Sequence, residues 1–307
     1  MRPRRAFWGV SVVEATMGIM LRVATVNVNG IRAAYRRGMG EWVAQRQPDI
    51  LLLQEVRASD DVLAEHLGEG WHIAHQASDL KGRAGVAVAS RLPVTAVRVG
   101  LGDGEPPVDT GRWVEMDVEV PGSERPLTVV SVYIHSGTAT EPERMAAKYA
   151  HLDRVTARLT ELAAQATAGQ RDVLVGGDVN IVHRPVDLKN WKANHNRTSG
   201  VLDTEIAYLD RWFDELGMVD LGRLLGGEGP GPYTWWSWRG KAFDNDAGWR
   251  IDYLLATPRA AEHAHDAVVD RAESYDRRFS DHAPLVVDFA PAPVRVLDDA
   301  HAAAGSR

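Results

Sequence analysis

Eight side chains able to do acid, base or metal chemistry fall where apolar runs break off or begin. Asn27 sits in VATVNVNG, Glu55 ends ILLLQE, Tyr133 ends VVSVY, and Asp178 and Asn180 close VLVGGDVN. Asp252 opens IDYLL, and Asp281 and His282 precede PLVV. Taken singly, each has a plain structural role: Asp or Asn beside a strand forms turns and caps, and Tyr133 is an anchored core aromatic. His282 alone is a satisfied structural histidine. Six such runs carrying carboxylates, amides, a phenol and an imidazole to their termini is another matter, because layered α/β folds build their sites at strand ends.

The chemistry of the set is specific. Glu55 and Asp281 are hard oxygen ligands suited to Mg²⁺ or Mn²⁺, and with no cysteine in the chain and no HExxH pair there is nothing to favour zinc. Asp178 and Asn180 are two apart, which on an extended segment turns both side chains the same way. One could orient or deprotonate a water while the other holds a phosphate oxygen. Asp252 could fix the tautomer of His282 and leave its other nitrogen to donate to phosphate. The inventory suits metal-assisted phosphodiester hydrolysis.

The elements that must position these groups alternate along the chain. RVATVNV (22–28), DILLLQ (49–54), AGVAVAS (84–90), LTVVSVYI (127–134), DVLVGGD (172–178), IDYLLA (251–256) and PLVVDF (284–289) read as strands. RWVEMDVEV alternates strictly, which predicts a half-buried antiparallel strand with Glu115, Asp117 and Glu119 facing water. Helices are expected over 38–47, over 143–165, where Met145, Tyr149, Leu152, Val155, Leu159 and Leu162 recur every three or four residues, and over 204–216, capped by Gly217. No repeat, linker or composition shift divides 21–290, so one α/β domain of mixed sheets is predicted.

Composition sets the outer limits. The 307 residues are 45% hydrophobic and 25% charged, an ordinary globular balance with no disulfide framework. No apolar run reaches the roughly 18 residues of a membrane span. Residues 1–20 lack a clear cleavage site and read as a disordered extension, with a true start at Met17 or Met20, and 291–307 as a disordered tail; a cytoplasmic monomer is the expectation. The net charge of −7 argues against a passive nucleic-acid coat, since non-specific binding is mostly phosphate neutralisation.

With these residues in place, the chain resembles the exonuclease III type AP endonucleases of the endonuclease, exonuclease and phosphatase superfamily. The matching stretches are VNVNGIRA, LLLQEVR, Tyr133 with Ser136-Gly137, LVGGDVNIV, DLKNWKANHN, YTWWSWR, GWRIDYLL and SDHAPL, in family order across 21–290. The resemblance implies a four-layer α/β sandwich, two mixed sheets face to face with helices outside. It implies a Mg²⁺ enzyme, with Mn²⁺ able to substitute, that cuts double-stranded DNA 5′ to abasic sites and processes blocked 3′ ends. Glu55 would be the principal metal ligand with Asn27 and Asp281 nearby, and Asp178, Asn180 and His282 are further candidates. Asp178 would activate the water, Asn180 position it, His282 with Asp252 contact the phosphate, and Tyr133 lie beside it. Lys189, Asn190, Lys192 and Asn194 would grip backbone phosphates, as would Arg32, and Trp235 and Trp249 would wall the pocket for an extruded abasic sugar.

Three departures from the family pattern stand out. Asn29 stands where some relatives carry an acidic residue near the metal, Arg57 replaces a frequent Lys, and His135-Ser136 the usual Pro followed by Asn or Gln. Two other readings remain at this level: a phosphodiesterase or phosphatase acting on a small non-DNA ester, and a catalytically dead DNA-binding relative. All eight residues proposed for catalysis are present, against the second of these.

Overall fold

A computed structural model describes residues 20–102 and 104–290. The expected extension, apart from Met20, and the expected tail lie outside the described residues. Among the described residues twelve strands form: β1 (Leu21–Asn27), β2 (Ile50–Gln54), β3 (His72–Gln76), β4 (Val86–Ser90), β5 (Val94–Val99), β6 (Trp113–Val118), β7 (Leu127–Tyr133), β8 (Asp172–Asp178), β9 (Val219–Asp220), β10 (Asp252–Ala256), β11 (Ala264–Val269) and β12 (Leu285–Phe289). They build two six-stranded sheets, in the orders β11-β12-β1-β2-β4-β3 and β5-β6-β7-β8-β10-β9. The predicted α/β sandwich of mixed sheets is the fold observed.

Between the sheets, Val23, Leu52 and Leu285 of one meet Met116, Leu174 and Leu254 of the other. Outside the second sheet, the helix Pro142–Thr167 lays Leu152, Val155, Leu159 and Leu162 on Val130, Val173 and Val175. Its apolar stripe at helical spacing accounts for both its length and its docking. Outside the first sheet, the helices Ile31–Arg36, Met39–Arg46 and Asp60–Leu67 cover Ala24, Val26, Leu51 and Leu53. The helix expected over 204–216 is Asp203–Asp210, continuing as a wider-turned segment Arg211–Glu215 and stopped at Gly217, whose φ is 68°. Among the described residues no helix is long and apolar enough to cross a membrane.

The topology places the site. Each sheet holds one parallel pair, β1 with β2 and β7 with β8, so Asn27 and Glu55 finish at one rim while Tyr133 and Asp178 finish at another. β10 and β12 run antiparallel to β8 and β1, so the same rims receive their first residues: Asp252 sits opposite Asp178, and Asp281 and His282 lead into β12. The two rims are brought together by close sheet packing at Gly176, where a Cβ would come within 2.5 Å of Leu52 Cδ1.

The strand β6 corrects one expectation. Glu115 and Asp117 do not face water; they are 2% and 6% exposed. Arg98 and Arg158 pair with Glu115, and Arg98 and Arg171 with Asp117. Alternation marks the two faces of a strand, but a face roofed by arginines carries the same pattern as one bathed in water.

Candidate active site

Asn27 is the first junction between the sheets. Its Nδ2 donates to Glu55 Oε1 at 2.8 Å and to Asp178 Oδ2 at 2.9 Å, while its Oδ1 accepts the backbone N–H of Asn29 at 3.0 Å. In this arrangement Asn27 presents its donor side to two carboxylates and has its oxygen occupied, so it orients the acids. Tyr133 donates its hydroxyl to Glu55 Oε1 at 2.9 Å. Burial, with Glu55 and Asp178 nearby, pushes the Tyr133 phenol well above its ordinary value, so it stays a donor. Glu55 Oε2 pairs with Arg57.

The second junction is a line of three buried groups. His282 Nδ1 lies 2.8 Å from Asp252 Oδ2, and its Nε2 lies 3.7 Å from Asp178 Oδ2. Burial raises Asp178 to about 7, with Asp252 and Glu55 adding to the rise and His282 and the Asn27 amide opposing it. Burial by itself would depress His282; the carboxylates of Asp252 and Asp178 overcome it and lift the imidazole to about 10. One cation thus serves two buried acids. Asp178 Oδ1 also accepts the Asn180 backbone N–H at 2.9 Å, a tight turn for which Asn180 takes a φ of 52°. The segment is therefore not extended through Asn180, whose Nδ2 donates to the Ile134 carbonyl at 3.0 Å.

Asp281 completes the rim. Asn29 Nδ2 reaches its Oδ1 at 2.8 Å and the Trp235 indole its Oδ2 at 3.1 Å. Burial works against its charge, but His282 and these two donors outweigh burial and hold Asp281 below the usual carboxylate range.

Glu55, Tyr133, Asp178, Asn180, Asp281 and His282 line one cleft of about 600 Å³. Trp235 and Trp249 stand in its wall, their rings edge to face at 5.9 Å. The donor set fits a hard divalent cation. Asp178, Asp252 and His282 offer atoms within 4.8 Å of one another, and the buried Asp252 Oδ1 has no hydrogen-bond partner. This acidic cluster could hold a metal ion, and Glu55 and Asp281 add hard oxygen donors on the same cleft, while His282, held as a cation by Asp252 and Asp178, is left as a donor.

Not every expected residue enters the cleft. Lys189, Asn190 and Lys192 are exposed on the segment beside it, where Leu188 bridges Trp249, and Asn194 uses its side chain on the Asn190 carbonyl and on Thr198. Arg32 is exposed in the first turn of Ile31–Arg36. The cleft also contains residues the sequence reading passed over as functional: Asn29, Arg57, Ser136 to Thr140, and Arg197 to Ser199. Asn29, Arg57, Ser136 and Gly137 stand at positions of the family pattern but were given no role; for the others the only signal was proximity in sequence to the motifs, because loops carry no periodicity.

Behind this wall lies a fully buried ion pair. Lys148 Nζ is 2.6 Å from Glu205 Oε1 and also donates to the Asn180 and Ser136 carbonyls at 3.0 and 3.3 Å. Glu205 in turn accepts the Ser199 hydroxyl and the Gly200 and Leu202 N–H groups. A single ammonium thereby braces the three segments that form one side of the cleft.

Comparison with known proteins agrees with this geometry. Residues 24–282 match the model of the endonuclease/exonuclease/phosphatase family. The chain is 30% identical over 266 residues to an exodeoxyribonuclease of Bacillus subtilis, covering 86% of this chain and 98% of the relative. It superposes on an AP endonuclease from Archaeoglobus fulgidus with a TM-score of 0.72 and 28% identity, covering 88% of this chain and 99% of that one. A 3′ phosphatase from Neisseria, solved with a product DNA hairpin, gives a TM-score of 0.72 and 26% identity over 88% and 99% of the two chains. The chain belongs to the endonuclease/exonuclease/phosphatase family, on the branch of the exodeoxyribonucleases and AP endonucleases.

Proposed function

We propose that this protein is a metal-dependent DNA repair nuclease. It hydrolyses the phosphodiester 5′ to abasic sites, leaving a 3′ hydroxyl, and the same site trims DNA as a 3′→5′ exonuclease and removes 3′ phosphates. The carrying observation is that Asp252, His282 and Asp178 stand in line at the cleft that Glu55, Asp281, Trp235 and Trp249 also line.

In this reading Asp178, raised to about 7, is the base matched to neutral pH that takes the proton of the attacking water. Asn180, tied to Asp178 through its backbone, positions that water. His282 is charged at neutral pH and donates from Nε2 to a phosphate oxygen, while Asp252 fixes its ring. The phenol of Tyr133 supplies a second donor to the phosphate as negative charge grows there. Glu55 and Asp281 would hold Mg²⁺, or Mn²⁺ in its place, which supplies electrostatic stabilisation of the phosphate and the departing oxygen. Trp235 and Trp249 flank the sugar, and an abasic nucleotide leaves the helix cheaply because it has no base to unpair. Arg32, Lys189 and Lys192, all exposed, contact the flanking backbone of the duplex.

The test is nicking of an abasic duplex by the wild type with Mg²⁺, with chelator, and by Asp178→Asn with Mg²⁺. Cleavage is expected only in the first. Faster turnover of small phosphate esters than of the abasic duplex would overturn the DNA assignment, and undiminished cleavage by Asp178→Asn would remove that residue from its role.

A further inference from the structure

Arg57 departs from the family pattern at a telling place. Glu55 and Arg57 both adopt left-handed backbone conformations, with φ of 50° and 52°. Each such non-glycine residue is strained and persists only where its surroundings enforce it. Here the N–H groups of Val56 and Arg57 bind the Gly85 and Ala84 carbonyls, and the Val56 side chain is fully buried. That anchoring directs the side chains on either side of Val56, Glu55 and Arg57, into the cleft.

The two oxygens of Glu55 then have different neighbours. Oε1 is occupied by the Asn27 amide and the Tyr133 hydroxyl; Oε2 has only the Arg57 guanidinium. The carboxylate is largely buried, with its side chain 11% exposed, whereas the arginine side chain is 38% exposed and makes no other hydrogen bond among the described residues. A guanidinium held by one ion pair, at the mouth of a cleft, can swing away without breaking the core. A divalent cation bound to Glu55 would take the same oxygen, and two positive charges a few ångströms apart repel.

We propose that Arg57 is a displaceable counter-ion of Glu55: it neutralises the carboxylate when the metal is absent and is expelled when a divalent cation binds. This rests on Glu55 being a metal ligand. The expelled guanidinium, still at the cleft mouth, is placed to take a phosphate of the incoming strand. Metal binding and substrate binding would thus be coupled through one side chain.

The experiment needs no DNA. Free Mn²⁺ is followed by electron paramagnetic resonance during titration of the wild type, Arg57→Ala, Arg57→Lys and Glu55→Gln, with a thermal melt of each to establish folding. Arg57→Ala should bind Mn²⁺ about fivefold more tightly, the worth of a partly exposed ion pair no longer in competition, and Arg57→Lys should fall between it and the wild type. Unchanged or weaker binding by Arg57→Ala would overturn the proposal, since it would mean that the arginine holds Glu55 in its ligating position. Glu55→Gln should lose Mn²⁺ binding; if it binds like the wild type, the metal assignment of Glu55 fails, and the proposal fails with it, independently of the arginine variants.

Discussion

Asp178 and Asp187 follow one another closely in the chain, and both are buried, yet their electrostatic circumstances are opposite. Asp187 is gripped by Arg250 at 2.7 and 3.2 Å and by Arg223, and it accepts the Arg184 N–H. Burial would raise it, but the two guanidinium groups outweigh burial and hold Asp187 below the ordinary carboxylate range. Asp178 shares a single imidazolium with Asp252 and is raised to about 7. Glu115 and Asp117 belong with Asp187: burial opposes their charge and arginines restore it, leaving both lowered. Buried acids matched by at least as many cations hold the architecture together. Those with too few keep a reactive pair of electrons, and the imbalance marks the site.

The comparison predicts a reversal of roles between the two aspartates. Asp187→Ala strands the buried Arg223 and leaves Arg250 with Asp220 alone, and should cost about 3–5 kcal/mol of stability, read as a large drop in melting temperature. Asp178→Asn relieves a buried, undercompensated charge and should melt no lower than the wild type, while its cleavage rate falls on the order of a thousandfold. Equal melting of Asp187→Ala and the wild type would break the distinction.

That distinction was only partly legible in the sequence. Asn27, Glu55, Asp178, Asp252 and His282 could be found because each interrupts or ends an apolar run, and the sheets bring those ends together. Asp187 lies in DLKNWKAN, a stretch read for DNA contacts, and nothing in its spacing told that Arg223 and Arg250 would enclose it. For Glu115 and Asp117 strict alternation pointed the wrong way, since the covering arginines come from β5, the long helix Pro142–Thr167 and the residue just before β8, 17 to 54 positions away in the chain. The strands β3, β5 and β11 went unread because each is partly exposed and carries no continuous apolar run. Trp235 and Trp249 became candidates only through family resemblance, as four tryptophans in one region look like core.

Lys148 sharpens the comparison from the cationic side, since it pairs one to one with Glu205. Lys148→Met leaves that carboxylate buried without its cation, at a cost near 3 kcal/mol, and also releases the Asn180 and Ser136 carbonyls. The expected result is a lower melting temperature together with a reduced kcat measured well below it. A variant that melted lower but retained full kcat when folded would make the pair purely architectural.

The smallest effect concerns histidines, where the same contrast recurs. His282 has acids around it and is raised to about 10. His151 is fully buried, neither ring nitrogen has a hydrogen-bond partner, and it is pushed well below its ordinary value by burial, with His135 and Arg112 adding to the fall. A histidine depressed in the folded state stays neutral there while the unfolded chain takes up a proton below about pH 6.5, so stability is lost as pH falls from that value. His282 has the opposite sign: its contribution is complete below the unfolded value and is lost only as pH rises through about 10. Replacing His151 with Phe removes the acid-side loss and fills the site with a ring of similar size. The variant and the wild type should melt within about 1 kcal/mol of each other at pH 8, and at pH 5 the variant should have gained up to about 2 kcal/mol relative to the wild type. A difference that does not change between the two pH values would mean that His151 finds a proton partner in the folded protein, and the contrast with His282 would be lost.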